Sequence, residues 1–274
     1  GDTSSEMDFL EKHPFMSGFY SEILKSSSKN LERERKHLKE ADGIFVGTDY
    51  LKNKVEDILK GDIGKETECL VEPTGFSKER FFFDANLRKS KREELGLKDE
   101  VVFVYSGNVF YSWQNLSWTL KLFCHLKEAL PEKPFFILLL IRKQDHPIAL
   151  HFLRAQNLTT DEFLLQSVEN ESMNSFLNAA DIGVALRDNH PMNLASSPGK
   201  LGEYLATGLE VITTPFVGDY FKPISQIDHG IILEDFRNGD GFVQNFLRKQ
   251  YKPASRERVS LWASQNFSVE SQAK

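Results

Sequence analysis

Residues 196–208, SSPGKLGEYLATG, set Lys200 and Glu203 three positions apart at the opening of a short helical pattern. A helix start presents amide groups without internal partners and a partial positive charge, so an ammonium beside it favours an anion, above all a phosphate. Ser197 suits the capping position, Pro198 the first turn and Gly208 a left-handed stop. Glycines inside so short a helix need another reason, because each weakens it by about 1 kcal/mol relative to alanine. Gly199 would let backbone approach a phosphate, and Gly202 with Ala206 would admit a close neighbour along one side. Taken by itself the string also fits an ordinary capped helix, with Lys200 and Glu203 as a surface pair worth about 0.2–0.5 kcal/mol. Its surroundings decide between the two.

Those surroundings are legible from residue 100 onward. Apolar runs of strand length, VVFVYS (101–106), FFILLLI (135–141), FLLQSV (163–168), IGVALR (182–187), EVITT (210–214) and GIILED (230–235), alternate with amphipathic segments. Nearly continuous apolar strands separated by helices predict an α/β fold, a Rossmann-like parallel sheet with helices on both faces. In ENESMNSFLNAAD, Met173, Phe176, Leu177 and Ala180 recur at three and four residues and mark one helix stripe facing the sheet. The first hundred residues differ. An amphipathic stretch begins at Pro14, with Phe15, Phe19 and Ile23 on one side, and a solvated charged helix covers 25–40. A single strand GIFVG (43–47), a helical pattern over 49–60 and a turn-rich EPTGFSKERFFF (72–83) follow.

The formal net charge of -6 argues against a general nucleic-acid-binding surface, though a local basic cleft for a phosphorylated ligand is compatible with it. Two cysteines, Cys69 and Cys124, form no disulfide framework and fit a reducing cytoplasm. PFFILLLI (134–141) is too short to cross a bilayer, and GDTSSEMDFL lacks the basic and apolar make-up of a leader. Asp145, His146 and His151 do not share a helical face cleanly, so no metal site is expected. Trp113 is expected to pack rather than to stack on a base, and Asp42 and Asp181, where helices hand over to strands, to be structural. Gly107 follows the first strand of the alternating region, and its turn suits either a tight bend or close approach of a ligand. His190 and Asn193 lie in the loop RDNHPMN after IGVALR, on the same edge as the candidate phosphate site, where a polar solvated loop is the simpler reading.

Read in order, ADGIFVGTDYLKNKV, PTGFSKERFFF, VVFVYSGNVFYSWQNL, FLNAADIGVALR and SSPGKLGEYLATGLEVITT resemble the retaining GT-B glycosyltransferases of the family 4 type, the glycosyl transferases group 1. The resemblance covers roughly residues 41 to 265. It implies that residues 1–78 are the end of an acceptor-binding domain with its linker. It likewise implies that 79–274 are a nucleotide-sugar-binding domain closed by the helix RERVSLWASQNF (256–267). Glu203 matches the second glutamate of the family's paired-glutamate motif, which in relatives binds the donor ribose hydroxyls. The first falls on Ala195, so the sugar contact would pass to neighbours such as Asn193. Where the family often carries an arginine and a lysine for the diphosphate, this chain has Asn108 and Gln114. Gln114 is expected to act as a neutral hydrogen-bond donor and Lys200 as the main cation.

The reaction implied is transfer of a sugar from a nucleoside-diphosphate donor to a saccharide or lipid-linked acceptor, with retained anomeric configuration, no metal and no further cofactor. Lys200 and Glu203 would carry it, with Gly107, Asn108, Gln114, Ser197 and Gly199 around the nucleotide and His190 and Asn193 on the sugar. Family analogy places the protein in the cytoplasm, in polysaccharide or glycolipid synthesis, with peripheral membrane association through the remainder of the acceptor domain. A nucleotide-sugar-binding subunit that needs a separate acceptor-binding partner is the alternative, and a sugar-nucleotide 2-epimerase a weaker one.

Overall fold

The computed structural model describes residues 32–60, 67–109, 112–227, 230–249 and 256–272. The stretch at Pro14, Phe15, Phe19 and Ile23 lies outside them. The chain forms two compact units. The smaller holds the residues up to Pro73 together with Asn189–Ser197 and Phe216–Asp219; the larger holds the rest.

In the smaller unit a largely exposed helix α1 (32–40) leads into β1 (Gly43–Val46), helix α2 (Asp49–Leu59) and β2 (Glu68–Val71). Thr48 caps α2, its hydroxyl accepting from the Leu51 amide at 3.2 Å. The two strands pair in parallel, Ile44 opposite Cys69 and Phe45 opposite Leu70. One face, Ile44 and Cys69, buries itself against Val55 of α2, whereas Phe45 is exposed. The single strand expected here is therefore corrected to two. ECLV escapes a reading by apolar runs because only one of its faces is covered, so it is short and mixed.

The larger unit contains α3 (Ala85–Glu94), β3 (Val101–Gly107), α4 (Leu116–Ala129), β4 (Phe135–Ile141), α5 (His146–Ala155), β5 (Phe163–Gln166), α6 (Asn170–Ala179) and β6 (Ile182–Ala185). After these come α7 (Gly199–Ala206), β7 (Glu210–Thr213), α8 (Phe221–Gln226), β8 (Gly230–Ile232), α9 (Gly239–Lys249), α10 (Arg256–Phe267) and α11 (Val269–Gln272). All six expected strands are present in one parallel sheet of order β5-β4-β3-β6-β7-β8. Its inner strands β3, β4, β6 and β7 are buried on both faces, as their unbroken apolar character requires, and the edge strand β5 is half-buried. Phe103, Tyr105, Ile137 and Leu139 pack against Leu120 and Phe123 of α4 and Phe242 and Phe246 of α9. The Phe103 ring meets Phe123 edge-on at 5.6 Å. The opposite face receives α7.

Asp181 precedes β6 and ties the amino end of the sheet together. Its carboxylate accepts from the Val102 amide at 2.8 Å and from Arg88 at 2.6 Å, with Arg92 at 3.5 Å and Arg256 at 3.6 Å. Arg88 also donates to the carbonyls of Asn178, Ala179 and Ala180, filling the open end of α6. Asp181 is thus structural, as expected from its place between helix and strand.

Candidate functional site

The start of α7 differs from expectation. The helix begins at Gly199 and its capping position is Pro198, with no side-chain cap; Ser197 stands outside it, in the smaller unit. Proline arrives first because its fixed φ suits the approach, and a proline has no side-chain acceptor to offer. The far end is as read: Gly208, at φ 72°, lets its amide reach Leu205 O and the Leu209 amide reach Tyr204 O.

Two residues one turn apart dock α7 on the sheet. The Tyr204 ring lies where a Cβ on Gly183 would stand, so the glycine of IGVALR makes room for it. The Tyr204 hydroxyl accepts from the Ser106 amide at 2.9 Å. Lys200, on the same helix face four residues earlier, donates to Ser106 O at 2.9 Å and Gln114 Oε1 at 3.1 Å and lies 5.0 Å from the Tyr105 ring centroid. Gly202 fills the close-packing role expected of it: a Cβ there would stand 2.6 Å from the Tyr220 hydroxyl and 3.0 Å from Phe76. Gly202→Ala should lower the melting temperature by a few degrees, since overpacking costs about 1–3 kcal/mol and outweighs the helix gain of about 1 kcal/mol. A raised melting temperature would contradict that packing.

The lysine stands at the switch point of the sheet. The order reverses between β3 and β6, and in open parallel sheets ligands bind beyond the carboxyl ends of the strands at that switch point. Gly107 ends β3 at φ 116°, where a side chain is strained, and a Cβ there would lie 3.2 Å from Lys200 Nζ. The backbone geometry demands glycine, and a side chain there would press on the end of Lys200. The loop that follows is pinned by the Tyr105 hydroxyl, which donates to Asn108 O at 3.0 Å and Gln114 O at 3.3 Å. Arg187, two residues past β6, donates from Nη1 to Gln114 Oε1 at 2.7 Å and Trp113 O at 3.1 Å.

Gln114 meets both cations through its side-chain oxygen. Lys200 and Arg187 have only donors to offer, so they take its side-chain oxygen. Arg187 itself escaped the sequence reading, its one signal being a charge closing the apolar run IGVALR. Gly199 faces Thr74, whose Cγ2 would lie 3.1 Å from an added Cβ. Burial, aided by the Arg187 charge, pushes the Lys200 ammonium down to about 7. Burial also raises the Glu203 carboxyl, against the pull of Lys200 and Arg80, and lowers Arg187. No described side chain hydrogen-bonds the Glu203 carboxylate.

His190 and Asn193 belong to the smaller unit, as Ser197 does. His190 Nδ1 accepts from the Met192 amide at 3.2 Å and caps the helical turn Pro191–Leu194, in which Asn193 is buried. Trp113 is half-buried. Among the described residues no group of three His, Cys, Asp or Glu could hold a metal, and no helix is long and apolar enough to cross a membrane.

Solved structures share this architecture. Sucrose-phosphate synthase from Thermosynechococcus elongatus superimposes with a TM-score of 0.66 at 19% identity, over 90% of this chain and 59% of that one. HepE of Anabaena, in complex with UDP and glucose, gives 0.61 at 12% identity, over 87% of this chain and 65% of that one. The C-terminal domain of a glycosyl transferase group 1 family protein from Francisella tularensis gives 0.53 at 12% identity, over 71% of this chain and all of that domain. No protein-family model and no curated protein matches the chain. The fold is that of the GT-B glycosyltransferases, and the chain spans about three fifths of the length of the synthase.

Proposed function

We propose that the larger unit is the donor-binding part of a glycosyltransferase that moves a sugar from a nucleoside diphosphate to an acceptor with retention and without a metal, in polysaccharide or glycolipid synthesis. The observation that carries this reading is the Lys200 ammonium, held at the carboxyl ends of β3 and β6 beside the opening of α7. The HepE complex with UDP and glucose supports the choice of ligand.

As the bond to the sugar breaks, negative charge gathers on the leaving diphosphate. A fixed ammonium and the free amides at the start of α7 stabilise that charge more than the ground state, which lowers the barrier. Glu203, three residues past Lys200 on the same helix, offers a carboxylate to the paired ribose hydroxyls.

Isothermal titration with UDP, GDP and ADP tests the reading, and absence of heat above dilution for all three refutes it. Glu203→Ala should erase a preference of about tenfold for UDP over its 2′,3′-dideoxy analogue. An unchanged preference in that variant would remove Glu203 from the ribose.

A further inference from the structure

Arg187 is 5% exposed, and its Nε is buried with no partner. Nη1 shares the Gln114 side-chain oxygen with Lys200 Nζ. Two cations are thus bonded to one neutral amide oxygen; the Glu203 carboxylate acts on Lys200 electrostatically, and among the described residues neither cation forms a salt bridge. Enclosed charges without a counter-ion are unfavourable, and two of like sign more so. An anion between them would relieve both costs.

We propose that Arg187 is the second cation of the diphosphate grip, and that the Gln114 side-chain oxygen stands, in the unliganded site, where a phosphate oxygen goes when the donor binds. The proposal rests on the nucleotide-binding reading above. It explains why the residue between the cations is an amide: it satisfies both donors in the free protein, yet it yields to a full negative charge. A glutamate there would bridge both cations permanently and oppose the ligand. It also assigns a selectivity, since two cations favour a diphosphate over a monophosphate.

The test is titration of the full chain with UDP, UMP and inorganic pyrophosphate, for the natural protein and for Arg187→Gln, Arg187→Lys and Gln114→Glu. Arg187→Gln should lose UDP affinity by about ten- to a hundredfold while UMP changes much less, and Arg187→Lys should restore part of the loss. Gln114→Glu, an isostere that pairs with both cations, should fold at least as stably and weaken UDP by more than about tenfold. A folded Arg187→Gln with the natural preference for UDP over UMP overturns the proposal. So does a Gln114→Glu protein that binds UDP unchanged, which decides the matter if Arg187→Gln fails to fold. A natural protein that binds neither nucleotide nor pyrophosphate refutes the underlying reading instead.

Discussion

Asp181→Ala is expected to lower the unfolding free energy by about 3–5 kcal/mol, the range for removing one partner of a buried ion pair. The carboxylate is 3% exposed and faces Arg88, Arg92 and Arg256, so its loss removes the acceptor that three guanidinium groups share. The Val102 amide loses its acceptor as well, at the point where β3 begins. Against a total stability of about 5–15 kcal/mol, the variant should be largely unfolded near body temperature or melt many degrees lower. Asp181→Asn keeps an oxygen for Val102 and should lose less. Urea denaturation measures both, and a cost below about 1 kcal/mol for the alanine variant would show that the arginines are held by backbone carbonyls alone.

Lys200→Ala should weaken UDP by about a hundredfold, the upper worth of a charge-assisted hydrogen bond in an enclosed site. The natural protein should also show a distinctive pH profile. Its ammonium, pushed down to about 7 by burial and by Arg187, is charged below that pH and increasingly neutral above it. A bound diphosphate favours the charged form, so binding takes up a proton and affinity falls by up to about tenfold per pH unit above 7. The groups around the ammonium are Tyr105 and Ser106 from β3, Gln114, Arg187, and Glu203 and Tyr204 of its own helix. Burial raises both tyrosines above their ordinary range, which keeps them neutral throughout the window. Stability of the free protein moves the other way. The unfolded chain holds the lysine proton more tightly, so folding gains as pH rises from about 7 towards the ordinary lysine value. Titration of UDP from pH 7 to 9 measures the profile, and Lys200→Ala should flatten it.

The parallel sheet was readable because its strands are covered on both faces and therefore apolar throughout, as in FFILLLI. ECLV, covered on one face only, left no such trace. Lys200 and Gly107 were found because a charge at a helix start and a glycine at a strand end have local causes. Gly183 and Tyr204 are explained only together, by a ring lying against a strand, and no local rule joins residues so far apart. The same holds for Arg187. Its role depends on Gln114, and that pairing arises because β3 and β6 are neighbours in the sheet although β4 and β5 lie between them in the chain. Ser197 shows the opposite failure: its type suits a cap, but Pro198 takes the position.

The most direct measurement is a crystal structure of the protein with UDP bound. The account predicts phosphate oxygens within hydrogen-bond distance of Lys200 Nζ and of the first amides of α7, with the Gln114 oxygen displaced from between Lys200 and Arg187. UDP bound elsewhere, with Gln114 still bridging the two cations, would contradict it.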